Sequence, residues 1–297
     1  MHTIEVSHIA KAFGDTQAVA DVSFAVEQGE IFGLLGPNGA GKTTTIRMIL
    51  DIFKPERRTV SILGGPMTEE KKERIGYMPE ERGLYQDIPL ERCLVYLATL
   101  KGLSPAEARR RVREHLQRFD LAQHKTKKVK ELSKGMQQKA QIINTIVHEP
   151  ELIIVDEPFA SLDPVNTQMV KELMKELREQ GTTIIMCTHQ MHHADELCDR
   201  ILLVDEGRVI LEGPLDDVRR RFAGHAVLVR VAGDLPLVTG VRSASQHNHA
   251  TKWELEEGAT PQDVLKALLA ENVTVEQFEI AVPPLAEIFI RAVEGAT

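Results

Sequence analysis

Gly36-Pro37-Asn38-Gly39-Ala40-Gly41-Lys42-Thr43 is the stretch that decides how this chain is read. It fills the pattern Gly-x-x-x-x-Gly-Lys-Thr at every fixed position. The run Glu30-Ile31-Phe32-Gly33-Leu34-Leu35 before it reads as a buried strand, and Thr44-Thr45-Ile46-Arg47-Met48-Ile49-Leu50 after it as a helix. Backbone N–H groups in such a loop converge into a concave anion site at the positive end of the helix dipole. Glycine permits the backbone angles and close approach this needs. Lys42 is expected to reach β- and γ-phosphates, Thr43 to ligate Mg²⁺, and Thr44 to complete the phosphate contacts. The pattern implies a nucleoside triphosphate.

Composition narrows the setting. A length of 297 residues argues for about two domains. A hydrophobic fraction of 42% supplies a sizeable core, and no run approaches the length of a membrane span. The net charge of −8 argues against a general nucleic-acid binder, and no nucleic-acid partner is expected. Cys93, Cys187 and Cys198 are an odd, sparse set in apolar or helical contexts, which suggests reduced thiols and a cytoplasmic setting.

Along the chain, Ile4 to Val26 reads as short strands with a turn at Gly14-Asp15, and Thr59 to Leu63 as a further strand. From Leu90 to Val147 the pattern turns helical, with Ser104-Pro105-Ala106-Glu107 marking one helix start. Short apolar runs then return at Leu152–Val155, Thr183–Met186 and Ile201–Val204, which fits a parallel sheet buried on both faces. Asp163 is the expected N-cap of a helix with Pro164 at its first position and Gly181 as its stop. Beyond Arg221, strands at Val227–Val231, near Trp253 and near Val273–Val275, with helices from Thr260 and Pro284, outline a small appended domain.

The expected fold is therefore α/β. A P-loop NTPase core, mostly parallel sheet flanked by helices, carries an N-terminal antiparallel β subdomain and a helical insert at residues 86–148. A nucleotide-binding domain over 1–224 is followed by a small α+β domain over 225–297.

Two carboxylates close the strand Leu152-Ile153-Ile154-Val155-Asp156-Glu157. Asp156 is placed to hold Mg²⁺ through its water shell, and Glu157 to polarise the attacking water. Leu132-Ser133-Lys134-Gly135-Met136-Gln137-Gln138-Lys139 heads a helix; read alone, Ser133 is simply an N-cap. His192 and His193 lack partners at metal-ligand spacing and read as exposed helix residues.

The order of phosphate loop, Leu-Ser-x-Gly turn, hydrophobic-Asp-Glu strand, Ser161-Leu162-Asp163 and His189 resembles the ATP-binding-cassette (ABC) ATPases over roughly Thr3 to Arg220. The resemblance implies two such domains, identical or different, packed head to tail around ATP. Ser133 and Gly135 of one would then contact the γ-phosphate held by the other. It implies that Asp163 communicates between the two sites, that His189 is a switch histidine, and that Phe13 stacks on adenine. Glu80 stands where the family carries a glutamine that touches Mg²⁺ or water, and a carboxylate remains a competent oxygen ligand. Lys134 replaces a signature glycine, and Arg58 a glycine at a tight turn.

The resemblance further implies integral membrane permease subunits as partners, an exporter as the whole, and a peripheral position on the inner face of the cell membrane. The string Pro79-Glu80-Glu81-Arg82-Gly83-Leu84-Tyr85 is most similar to the sodium-extrusion branch. The alternative is a soluble cassette ATPase acting on ribosomes or nucleic acid.

Overall fold

A strand with no polar face must lie between two covering layers, and three segments of this chain do so. Ile31–Leu35 (β3), Leu152–Asp156 (β6) and Thr183–Thr188 (β7) are buried at every residue. The computed structural model describes residues 2–56, 59–81, 83–223, 225–247 and 249–295. The substitution of Arg58 and the position of Arg82 lie outside them. Two compact units divide at Leu215 and Asp216.

The first unit begins with His2–Phe13 (β1) and Thr16–Glu27 (β2), which pair antiparallel. These are long strands, not the short ones expected. Four register shifts along the pair bend the ribbon, so 12 residues continue where a flat strand would stop. After β3 come Lys42–Ile49 (α1), Val60–Ile62 (β4), Glu69–Glu73 (α2) and Ile75–Met78 (β5). The helical insert holds Leu90–Leu100 (α3), Pro105–Arg118 (α4) and Lys134–Ile146 (α5), with two short 3₁₀ turns before α5. β6 leads into Pro164–Glu179 (α6), β7, Met191–Leu197 (α7), Arg200–Asp205 (β8) and Arg208–Pro214 (β9).

The described strands of this unit form one sheet in the order β4-β1-β2-β9-β8-β3-β7-β6-β5. Pairing is parallel from β8 through β3, β7 and β6 to β5, and antiparallel for β1 with β2 and β4 and for β8 with β9. The expected antiparallel segment is thus one end of a continuous mixed sheet. Its core gathers Ile4, Ile9, Val22, Phe32, Leu34, Ile46, Met48 and Ile154. Each such side chain contributes about 1.5–3 kcal/mol by leaving water.

Caps fix the helix starts. Ser104 Oγ accepts the Glu107 N–H at 3.2 Å, and Asp163 Oδ1 accepts the Asn166 N–H at 2.9 Å.

The second unit runs from within Leu215–Phe222 (α8) through Ala226–Ala232 (β10), Val241–His247 (β11), Ala250–Leu255 (β12), Pro261–Ala270 (α9) and Thr274–Ile280 (β13) to Leu285–Glu294 (α10). Its strands make an antiparallel sheet in the order β11-β12-β10-β13. Val227, Val229, Trp253 and Leu255 from the sheet pack with Val264 and Leu268 of α9. Thr260 and Asp263 cap α9 reciprocally.

Candidate functional site

The register of the parallel strands assembles the site. Leu35 pairs with Thr188, and Asp156 with Cys187, so the carboxyl ends of β3, β7 and β6 stop side by side. The loops that follow them share one edge, as open α/β sheets require.

At that edge Gly36 to Gly41 wraps the start of α1. Gly41 takes φ +98°, and a Cβ there would stand 2.4 Å from the Ala18 carbonyl oxygen. A Cβ on Gly36 would stand 2.2 Å from the Val204 oxygen. Both positions therefore exclude any side chain. Lys42 is buried, and its Nζ donates to the carbonyls of Gly36 and Pro37 at 2.8 and 2.9 Å. A cavity of about 410 Å³ opens here, lined by Asn38, Gly39, Gly41, Lys42, Thr43 and Thr44 from the loop and helix. Ala18, Glu80, Asp156 and Glu157 complete its wall. Ala40 is buried beneath the loop, and its carbonyl accepts the Gly207 N–H.

Thr43 Oγ1 donates to Asp156 Oδ2 at 3.0 Å. Burial raises the Asp156 pKa, a push offset by hydrogen bonds from Cys187 and Thr43 and reinforced by the neighbouring Glu157. Glu157 sits one residue past β6 with φ +50°, a left-handed conformation uncommon for a residue with a Cβ. Its carboxylate is buried and held on both oxygens. Oε2 accepts from Thr188 Oγ1 at 3.0 Å; Oε1 accepts the His189 N–H at 2.8 Å and faces His189 Nδ1 at 2.6 Å.

The helix α5 approaches from the other side. Ser133 is its N-cap, accepting the Met136 N–H at 3.2 Å, and is exposed together with Lys134. The carbonyl of Ser161 would lie 2.9 Å from a Cβ on Gly135, so the first turn of α5 rests on the loop leading to Asp163. Asp163 is exposed, and hydrogen bonds from the Asn166 backbone and side chain hold its pKa low. Ser133, Gly135 and Asp163 do not line the cavity around Lys42. Neither does Phe13, which is half-exposed at the end of β1 and meets Phe53 edge-on at 5.3 Å.

His193, expected at an exposed helix position, is buried against Phe159 at 4.3 Å between ring centres. The reason is the short α7, whose inner face also carries Ala194 and Leu197. Three polar side chains were not singled out from sequence: Thr188, Gln138 and Gln141. Gln138 Nε2 donates to the carbonyls of Glu157 and Pro158 at 3.1 and 3.0 Å. Gln141 Nε2 donates to those of Pro79 and Glu81 at 3.4 and 3.2 Å. Nothing in an isolated sequence marks these amides, because their partners are backbone atoms of distant loops.

Oxygen donors at Thr43 and Asp156 beside a loop that a Cβ would fill suit a hard divalent cation and a polyphosphate. Comparison with known proteins agrees with this chemistry. The family model for the ABC transporter domain matches residues 19–160. A second, the C-terminal domain of DrrA1-3-like ATP-binding proteins, matches residues 213–293. An uncharacterized ABC transporter ATP-binding protein of Bacillus subtilis strain 168, YhaQ, is 37% identical, with 98% of each chain covered.

This chain is an ABC transporter ATP-binding subunit.

As a member of that family it is an ATPase coupled to transport. The linearmycin resistance ATP-binding protein LnrL of the same bacterium is 33% identical, with 97% of each chain covered. Among solved structures, an ATP-binding subunit of an ABC transporter superposes with a TM-score of 0.70 at 37% identity, covering 74% of this chain and 93% of its own. A dimeric bacterial ABC transporter cassette does so with a TM-score of 0.67 at 25% identity, covering 71% and 98%. These relatives lend no support to the ribosome or nucleic-acid alternative. No helix among the described residues is long and apolar enough to cross a membrane.

Proposed function

We propose that this ABC subunit hydrolyses Mg²⁺-ATP in a head-to-tail dimer, with an identical or a different ATP-binding subunit, and powers export through separate permease subunits. The observation that carries the reading is the grip of Thr188 and His189 on the Glu157 carboxylate at the wall of the phosphate cavity. A carboxylate so placed can accept the proton of an attacking water.

In this reading the N–H groups of Asn38 to Thr44 and the Lys42 ammonium hold the phosphates. Thr43 and Asp156 hold Mg²⁺, with Glu80 as a further oxygen ligand; bound there, the cation neutralises charge on the phosphate oxygens. Glu157 takes the proton from water and His189 meets the γ-phosphate. Ser133 and Gly135 serve the nucleotide of the neighbouring subunit, since on their own chain they stand outside the cavity. Asp163 lies between the two sites, and Phe13 faces the base. The dimeric cassette among the similar structures supports this arrangement.

Export is supported by the name of LnrL, a linearmycin resistance ATP-binding protein. The subunit would then work at the inner face of the membrane, bound to its permease. Inside-out vesicles carrying permease and subunit test the direction. ATP-dependent accumulation of cargo inside them supports export, and ATP-dependent release contradicts it.

A further inference from the structure

Three side chains within one turn of α5 reach two loops of the site and the first turn of α6. Gln138 spends both protons of its amide on the carbonyls of Glu157 and Pro158. It thereby pins the two peptide units that follow the left-handed Glu157 backbone, on either side of Pro158. Lys139 is buried, and its Nζ donates to Asn166 Oδ1 at 3.2 Å; Asn166 Nδ2 in turn donates to Asp163 Oδ2 at 2.6 Å. Gln141 is buried and holds the chain on both sides of Glu80 through Pro79 and Glu81.

The rest of α5 is anchored by packing. Ala140 and Ile143 are fully buried, as is Val147 at its C-cap, and Gln137 Nε2 ties the helix start back to the Leu132 carbonyl at 2.9 Å. The exposed end is Ser133, roughly 7.5 Å along the axis from Gln138 at 1.5 Å per residue.

We infer that α5 is the coupling element of the site, and that Gln138, Lys139 and Gln141 are positioning residues. Through them, engagement of Ser133 by a neighbouring subunit's nucleotide sets this chain's own Glu157, Asp163 and Glu80. The inference rests on the head-to-tail reading given above. It adds the path by which each nucleotide reports to the other chain's base. Because the Gln138 amide donates to backbone carbonyls, its contribution is to orientation: it moves the rate of the chemical step and leaves ground-state nucleotide binding alone.

The test uses the full-length chain carrying Gln138→Leu, which removes both donors, or Gln138→Glu, which keeps the shape and reverses the polarity. Each is made with native Glu157 and with Glu157→Gln. Steady-state ATP hydrolysis, affinity for a fluorescent ATP analogue and molar mass by light scattering are measured. Coupling predicts that kcat falls on the order of tenfold to a hundredfold while KM and analogue affinity hold. It also predicts that Gln138→Leu with native Glu157 accumulates an ATP-bound dimer, because the clamp closes without an aligned base. A kcat within about twofold of the parent overturns the inference, and so does a matching loss of analogue affinity, which marks general loosening. If Glu157→Gln alone gives no dimer, the head-to-tail pairing of identical chains falls and takes the coupling between them with it; a dimer there with an unaffected Gln138 variant sinks the coupling only.

Discussion

His189 Nδ1 lies 2.6 Å from Glu157 Oε1, and the backbone N–H of His189 reaches the same oxygen at 2.8 Å. The carboxylate side chain is almost fully enclosed, while the imidazole is about half exposed. One partner is therefore fixed and the other free to turn toward a ligand. Since a carboxylate only accepts, Nδ1 carries the proton in the tautomer this contact requires. Thr188 supplies the second anchor through Oε2.

Thr188 orients Glu157, the proposed base. Its hydroxyl accepts the Gln190 N–H at 3.0 Å, which directs its single proton to Glu157. Thr188→Val keeps the shape and removes the donor, so kcat should fall about tenfold with KM for ATP unchanged, and Thr188→Ser should restore most of the rate. Equal kinetics for the Val and Ser variants would show that the hydroxyl contributes nothing.

Gly41 tests the phosphate cradle. At φ +98°, with the Ala18 oxygen 2.4 Å from any Cβ, Gly41→Ala forces the loop away from β2. We expect a stability loss of about 1–3 kcal/mol from backbone strain, and weaker ATP binding. Chemical denaturation and a fluorescent ATP analogue measure the two effects. An unchanged affinity would mean that the loop geometry does not set binding.

Ser133 tests the site shared between subunits. Ser133→Arg places a long side chain at an exposed helix start outside the subunit's own cavity. ATP affinity of the isolated chain should hold while hydrolysis is lost. Full hydrolytic activity would remove Ser133 from the composite site.

Acid sensitivity follows from two histidines. His148 Nδ1 and His193 Nδ1 are buried without a hydrogen-bond partner among the described residues. Burial, aided by the charges of Lys101 and Arg111, pushes His148 down to about 4. Burial, with His192 and Lys171, does the same for His193 against the opposing pull of Glu196 and Glu157. Below the ordinary histidine value of 6.5 the unfolded chain takes up protons that the folded chain refuses. Stability from these groups is complete above about pH 6.5 and falls as the pH drops toward about 4. His148→Gln should reduce the slope of that fall by about one proton, read from urea melts at several pH values. A slope unchanged from the parent would remove His148 from the explanation.

Much of the nucleotide site was legible because its residues are contiguous. The phosphate loop and the strand ending in Asp156-Glu157 are runs whose apolar neighbours announce buried strands, and β3 and β6 lie where those runs place them. Thr188 was not legible, since a threonine before a histidine gains meaning only when β7 pairs with β6 and brings Cys187 opposite Asp156. Gln138 and Gln141 act on backbone carbonyls 19 and about 60 positions away, which no local pattern encodes. The strand β11 escaped for the opposite reason. Arg242, Ser243, Ala244, Ser245 and Gln246 are all exposed at the sheet edge, so the strand carries no buried alternation to read.

The molar mass of the Glu157→Gln chain with and without Mg²⁺-ATP bears most directly on the account. With the proton acceptor disabled and the phosphate cradle intact, light scattering should show the 33.2 kDa chain doubling in mass on nucleotide addition and returning on its removal. A mass that stays at one chain while the nucleotide is demonstrably bound would contradict a site shared between two copies of this chain.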